Sequence, residues 1–250
     1  MLDFFSSLCY NKREEQRKGC NAMKILFFDM EFANGKVPGS IYSIGYLVTD
    51  ENFEILQEPT DLLINPDCEW NEYVEQNILA YPREQVEAAP KFPMVYDEVA
   101  ELFEDVDFAV GFAVNNDVRA LRKNCERYDL SQIRYSAFDT ERLCRLMDEH
   151  REARGLGGCY TAWCGEAPAN QHRSDGDALA TMLLFRKICE VKHVTPEMMR
   201  LAFPECLHSS VQTPQKTAPK GKRAIFKRLG AQKKRRRRTR RARKFEEASV

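Results

Sequence analysis

The sequence predicts an α/β fold: a mixed sheet of about five strands, three antiparallel and then parallel, flanked by helices. Three observations predict it. Three strand-like apolar runs come first, with no helical segment between them. From about residue 90 onward, segments of helical period alternate with short apolar runs. From about residue 209 the composition turns to Gln, Thr, Pro, Lys and Arg, too poor in apolar residues to build a core.

The elements follow in order. KILFFD (Lys24–Asp29) is almost wholly apolar, as a strand buried on both faces should be. NGKVPGS supplies Gly and Pro for a loop, IYSIGYLVTD reads as a second strand, and FEILQEPTDLLIN reads as a third. FPMVYDEVAELFED then places Val95, Val99, Leu102 and Phe103 at helical spacing. FAVGFAV is a fourth strand, and NDVRALRKNCERYDL is a helix with Val118, Leu121 and Cys125 on one stripe. IRYSAFD is a fifth strand, followed by the helix TERLCRLMDEH, which Asp139 is placed to cap. Residues 151–170 are Gly-rich and read as irregular, with a short helix around Tyr160–Cys164; Tyr160 and Trp163 there read as core aromatics, a substrate wall being their other use. DALATMLLFRKICEV carries the strongest helical signal, and TPEMMRLAF is a further short helix. The expected organisation is a poorly ordered leader over 1–22, one catalytic-size domain over 23–208 and a disordered basic tail over 209–250.

The net charge of zero conceals a segregation. Of the 38 basic residues 16 lie in 215–250, with only 2 of the 38 acidic ones, which leaves 22 basic against 36 acidic residues in 1–214. An acidic body with a strongly basic tail suggests a polyanionic partner for the tail. The nine cysteines are odd in number, scattered and without a C-x-x-C pair, so neither a disulfide framework nor a zinc site is supported. Buried, reduced thiols fit a reducing compartment. The first 20 residues lack the apolar core of a secretory signal, and no run reaches the roughly 20 apolar residues of a membrane span. A soluble, cytoplasmic protein is expected.

Chemistry-bearing residues occur at three places. In FFDMEF, Asp29 and Glu31 lie two apart on a strand and project to one face. Paired carboxylates at the end of a buried strand are costly unless a cation neutralises them, and such oxygen clusters suit Mg²⁺ or Mn²⁺. Solvated acids on an exposed edge strand would give the same letters. In VGFAVNNDVRALRK, Asp117 stands at a helix start after a buried strand, where the helix dipole alone would favour an acid. In QHRSDGDALATMLLF, His172 precedes Asp177, which falls in the first turn of the strongest helix. Ser174 with Asp177 also approaches a capping box, which needs no site at all.

Taken together, the order is D-x-E on the first strand, an Asp at a helix start roughly 90 residues later, then H-x-x-x-x-D some 55 residues beyond. This resembles the DEDDh, or DnaQ-like, 3′–5′ exonucleases of the ribonuclease H-like fold, over about 24–190. The resemblance implies that Asp29, Glu31, Asp117 and Asp177 hold two Mg²⁺ or Mn²⁺ ions and that His172 is the general base. It implies hydrolysis of single-stranded RNA or DNA from the 3′ end to 5′-mononucleotides. Two departures stand out. The family's second motif often reads G-H-N before its aspartate, whereas Phe112 and Ala113 occupy those places here. The residue after D-x-E is often small, and here it is Phe32, which is expected to stack on a substrate base, with Met30 a second expected substrate contact. A core aromatic is the other expectation for Phe32.

The tail cations Lys233, Lys234, Arg235, Arg236, Arg237, Arg238, Arg240 and Arg241 form a concentrated phosphate binder, expected to associate with nucleic acid or the ribosome. Folding back on the acidic body, lipid binding and nuclear import are the competing uses. The competing function is a non-catalytic nucleic-acid-binding module on the same fold. The sequence leaves RNA against DNA, sequence preference and oligomeric state open.

Overall fold

The structure, a computed structural model, describes residues 23–147, 149–169 and 173–210. The expected leader, His172 and the tail cations lie outside the described residues.

Six strands form one mixed sheet, one more than expected. They are β1 (Ile25–Phe32), β2 (Ile41–Thr49), β3 (Ile55–Leu63), β4 (Phe108–Gly111), β5 (Ser136–Asp139) and β6 (Leu207–Ser209), in the order β3-β2-β1-β4-β5-β6. The first three make an antiparallel meander, and β4 and β5 continue it in parallel. The additional strand, β6, pairs antiparallel with β5, and Ser210 extends the pairing by accepting the Tyr135 N–H at 2.9 Å. Described pairing with β5 thus extends to Ser210. Three residues with no apolar pattern give no strand signal; their pairing with β5, some 70 residues away, makes the strand.

Described helices are α1 (Glu72–Asn77), α2 (Arg83–Glu87), α3 (Phe92–Glu104), α4 (Asn115–Arg127), α5 (Thr140–Leu146), α6 (Gly155–Cys164), α7 (Ser174–Lys192) and α8 (Pro196–Ala202). The sequence reading missed α1 and α2, which bury almost nothing: Val86 is their one buried side chain. It also shortened α6, whose glycines weaken the helical signal but leave room for Cys159, Tyr160 and Trp163 to bury.

Alternation along β1 assigns its residues to two cores. Ile25 and Phe27 face α5, α6 and α7, where Phe27, Phe138 and Phe185 meet edge-on or tilted. Leu26, Phe28 and Met30 face α3 and α4, against Val95, Val99, Phe103 and Leu121. Phe92, Val95, Val99 and Phe103 bury one stripe of α3, and Pro93 in its first turn needs no helical hydrogen-bond donor. Each such side chain contributes about 1.5–3 kcal/mol when fully buried. Asp139 caps α5 as expected, accepting the Arg142 N–H at 3.1 Å. The described cysteines are free thiols. No helix among the described residues is long and apolar enough to cross a membrane.

Candidate active site

Carboxylates converge where β1 leaves the sheet. Beyond Phe27 on the same face of the strand come Asp29 and Glu31, so the alternation that fills the α7 core ends in two acids. The pairing of β1 with β2 shifts register between Glu31 and Phe32, an irregularity of the kind that re-aims side chains beside a site. Asp177 arrives from the first turn of α7, and carboxylate oxygens of Asp29, Glu31 and Asp177 lie within 4.8 Å of one another. Asp117, only 5% exposed in the first turn of α4, stands behind them, near enough to raise Asp29.

Ser174 does not cap α7. Arg173 is at the cap position with no side-chain cap bond, and Ser174 is the first helical residue. Its hydroxyl instead donates to Asp61 on β3 at 2.8 Å and contacts the Ser43 hydroxyl of β2. Helix and sheet come this close because residue 45 is glycine: a Cβ there would lie 1.8 Å from the Ser174 carbonyl carbon. The small residues Ser174, Gly176 and Ala178, all buried, line the same end of α7.

Asp61 is a fifth acid, which the sequence reading missed. The registers Asp29↔Gly45 and Gly45↔Asp61 place it in the same row as Asp29, two strands away. Its signal lies in that cross-strand alignment and in no local motif.

The electrostatics follow from this crowding. Burial, and then Asp117, Glu31, Asp177 and Asp61, push the Asp29 carboxyl well above the usual carboxylate range. Glu31 is pushed up to about 7 by burial and then by Asp177 and Asp61. Asp117 is raised by burial first, then by Glu31 and Asp139. The neighbours that shift these three acids are acids themselves. Such a set fits a divalent cation: the donors are hard oxygens, their spacing suits one shared ion, and a cation removes the repulsion.

The two expected substrate contacts part company. Met30 points to the opposite face of β1 and lies in the α3–α4 core at 3% exposure, which leaves no surface for a ligand. Phe32 is half-buried and lines a cleft of about 230 Å³ with Asn34, Lys36, Asn116, Arg119 and Lys123. In place of the family's G-H-N, Phe112 packs on the α7 core, and Ala113 adopts a left-handed φ of 56° with its N–H on Asp139 at 3.1 Å. Tyr160 and Trp163 are core residues, each 7% exposed.

The third strand across the mixed sheet, β1, ends in gathered carboxylates, a donor set suited to a divalent cation. The chain belongs to the exonuclease (RNase T) family, which matches residues 26–185. No curated protein matches it. Among solved structures it is similar to E. coli exonuclease I in a zinc-bound complex with single-stranded DNA: 18% identity, TM-score 0.60, over 73% of this chain and 43% of that one. The nuclease domain of 3′hExo, a DEDDh family member bound to rAMP, is similar at 12% identity and TM-score 0.58, over 68% of this chain and 93% of that one. Cell-death related nuclease 4 is similar at 14% identity and TM-score 0.55, over 69% of this chain and 65% of that one. The chain spans less than half the length of the exonuclease I chains it matches. The fold is thus the one the sequence predicted, and the DEDDh resemblance is upheld.

Proposed function

We propose that this protein is a metal-dependent 3′–5′ exonuclease that shortens single-stranded RNA or DNA from its 3′ end and releases 5′-mononucleotides. The observation that carries the reading is the convergence of Asp29, Glu31 and Asp177 from two distant segments, with Asp117 beside them. Membership of the exonuclease family and similarity to nucleases solved with single-stranded DNA or rAMP support it.

Bound Mg²⁺ or Mn²⁺, two ions in the full reading, would supply an activated water and stabilise the departing 3′ oxygen. The residues divide the remaining work. Asp29, Glu31 and Asp177 would hold the metal, Glu31 and Asp177 toward the attacking water, and Asp117 would assist on the leaving-group side. His172 would take the proton of the attacking water, imidazole being the side chain suited to proton transfer near neutral pH. Phe32 offers an aromatic face to a base at the mouth of the cleft it lines, and Lys36 and Arg119 on the same cleft favour phosphate. The basic tail acts as a salt-sensitive tether for nucleic acid or the ribosome.

Matched 5′-labelled RNA and DNA oligomers incubated with Mg²⁺ or Mn²⁺ test this. Stepwise shortening from the 3′ end, abolished by Asp29→Asn and slowed by His172→Ala, is expected. Intact oligomers with folded protein and either metal would leave only a binding module on this fold.

A further inference from the structure

We propose that Asp61 is a positioning residue of the acidic centre: it ties the first turn of α7 to the sheet and so fixes where Asp177 stands beside Asp29 and Glu31.

Three hydroxyls from three separate segments donate to the Asp61 carboxylate. Ser43 of β2 and Ser174 of α7 both reach Oδ1, the latter at 2.8 Å. Tyr81, in the loop before α2, reaches Oδ2 at 2.5 Å. The two serine hydroxyls also touch each other, at 1% exposure each. An ionised carboxylate only accepts hydrogen bonds, so it gathers these hydroxyls around one point. Asp61 stands apart from the three acids whose oxygens converge, Asp29, Glu31 and Asp177.

The geometry makes the tie consequential. Ser174 is the first residue of α7, and Asp177 is one turn further along. Gly45 leaves room for the helix on the sheet, and its cross-strand partner Asp61 grips the same helix end from β3. Arg173 at the cap position makes no side-chain cap bond, so the Ser174–Asp61 bond is a separate anchor of the helix start. Arg173 extends it, lying over the Tyr81 ring at 5.3 Å and pairing with Asp175 at 3.0 Å. The segment that delivers Asp177 is held through side chains on β2, β3 and the loop before α2.

The proposal rests on the assignment of Asp29, Glu31 and Asp177 as ligands of a divalent cation, and two measurements on the full chain separate them. Mn²⁺ titration calorimetry should show on the order of tenfold weaker binding in Ser174→Ala and in Asp61→Ala, as supporting-shell changes produce. In an Asp177→Asn background, Ser174→Ala should then change Mn²⁺ affinity less than about twofold, because the residue it positions is gone. Equal loss in both backgrounds, or wild-type affinity in Ser174→Ala, overturns the proposal. Amide hydrogen exchange of the metal-free protein gives the second readout: the N–H groups of 175–178 should exchange faster in Ser174→Ala and Tyr81→Phe, while those in the middle of α7 do not. Unchanged exchange overturns the proposal as well. A wild-type protein that binds no Mn²⁺ defeats the metal assignment alone, and exchange then decides the tie; one that binds Mn²⁺ but leaves every oligomer intact defeats the exonuclease reading alone.

Discussion

Gly45 lies directly under Ser174: a Cβ at position 45 would stand 1.8 Å from the Ser174 carbonyl carbon and 2.1 Å from the Asp175 nitrogen. Both obstacles are backbone, so a side chain at 45 can be accommodated only by lifting the start of α7. Gly45→Ala is expected to destabilise the protein by at least about 3 kcal/mol and to weaken Mn²⁺ binding by displacing Asp177. Urea denaturation with and without Mn²⁺ measures both.

Asp29 is buried among acids, so without a cation its charge opposes folding. Asp29→Asn keeps the shape and removes the charge. In EDTA at pH 8 the variant should melt at a higher temperature than the wild type, while losing Mn²⁺ binding and nuclease activity together. A lower melting temperature in EDTA would show that the Asp29 charge is compensated in the free protein.

The pH dependence of the metal-free protein has a definite sign. An ordinary glutamate releases its proton near 4.5, whereas folded Glu31 holds it to about 7. The folded state therefore binds more protons than the unfolded state between these values, and stability falls as pH rises through the window. Melting in EDTA should occur at higher temperature at pH 5 than at pH 8. Mn²⁺ competes with the same proton, so its affinity should rise across that interval and its binding should release protons. Calorimetry in buffers of different ionisation enthalpy counts them.

Ala113 holds a φ of 56°, a left-handed conformation that costs a residue with a Cβ roughly 1–2 kcal/mol. It persists because the Ala113 N–H reaches Asp139, which is 4% exposed and also caps α5. Ala113→Gly should stabilise the protein by about 1 kcal/mol, seen as a melting temperature raised by roughly 2–4 °C. Asp139→Ala should do the opposite, by freeing both N–H groups and loosening the start of α4 that carries Asp117.

Much of the site was legible because its residues sit where local pattern is strong. Asp29 and Glu31 end an apolar strand, and Asp177 lies in the first turn of the longest helix, so their positions follow from period and sequence order. Asp61 was not legible, because its place beside Asp29 depends on two strand registers that no single segment encodes. Ser174 misled for a related reason: Ser at a helix start is normally a cap, and only the presence of Asp61 across the sheet redirects its hydroxyl. Met30 and Phe32 were taken together as substrate contacts, yet the core claims Met30 and the cleft exposes Phe32. The fold was read nearly whole. Its omissions include α1, α2 and β6, short elements that together bury one side chain, Val86.

One strand carries two incompatible sets of neighbours, separated by nothing but parity. Odd-numbered positions of β1 run Ile25, Phe27, Asp29, Glu31, and even-numbered ones run Leu26, Phe28, Met30, Phe32. Adding or deleting a single residue ahead of Asp29 would exchange the two sides, driving both carboxylates into oil and turning a phenylalanine and a methionine toward the acidic site. A frame error of one position in this strand would extinguish folding and chemistry at once, so β1 tolerates changes of letter but none of length.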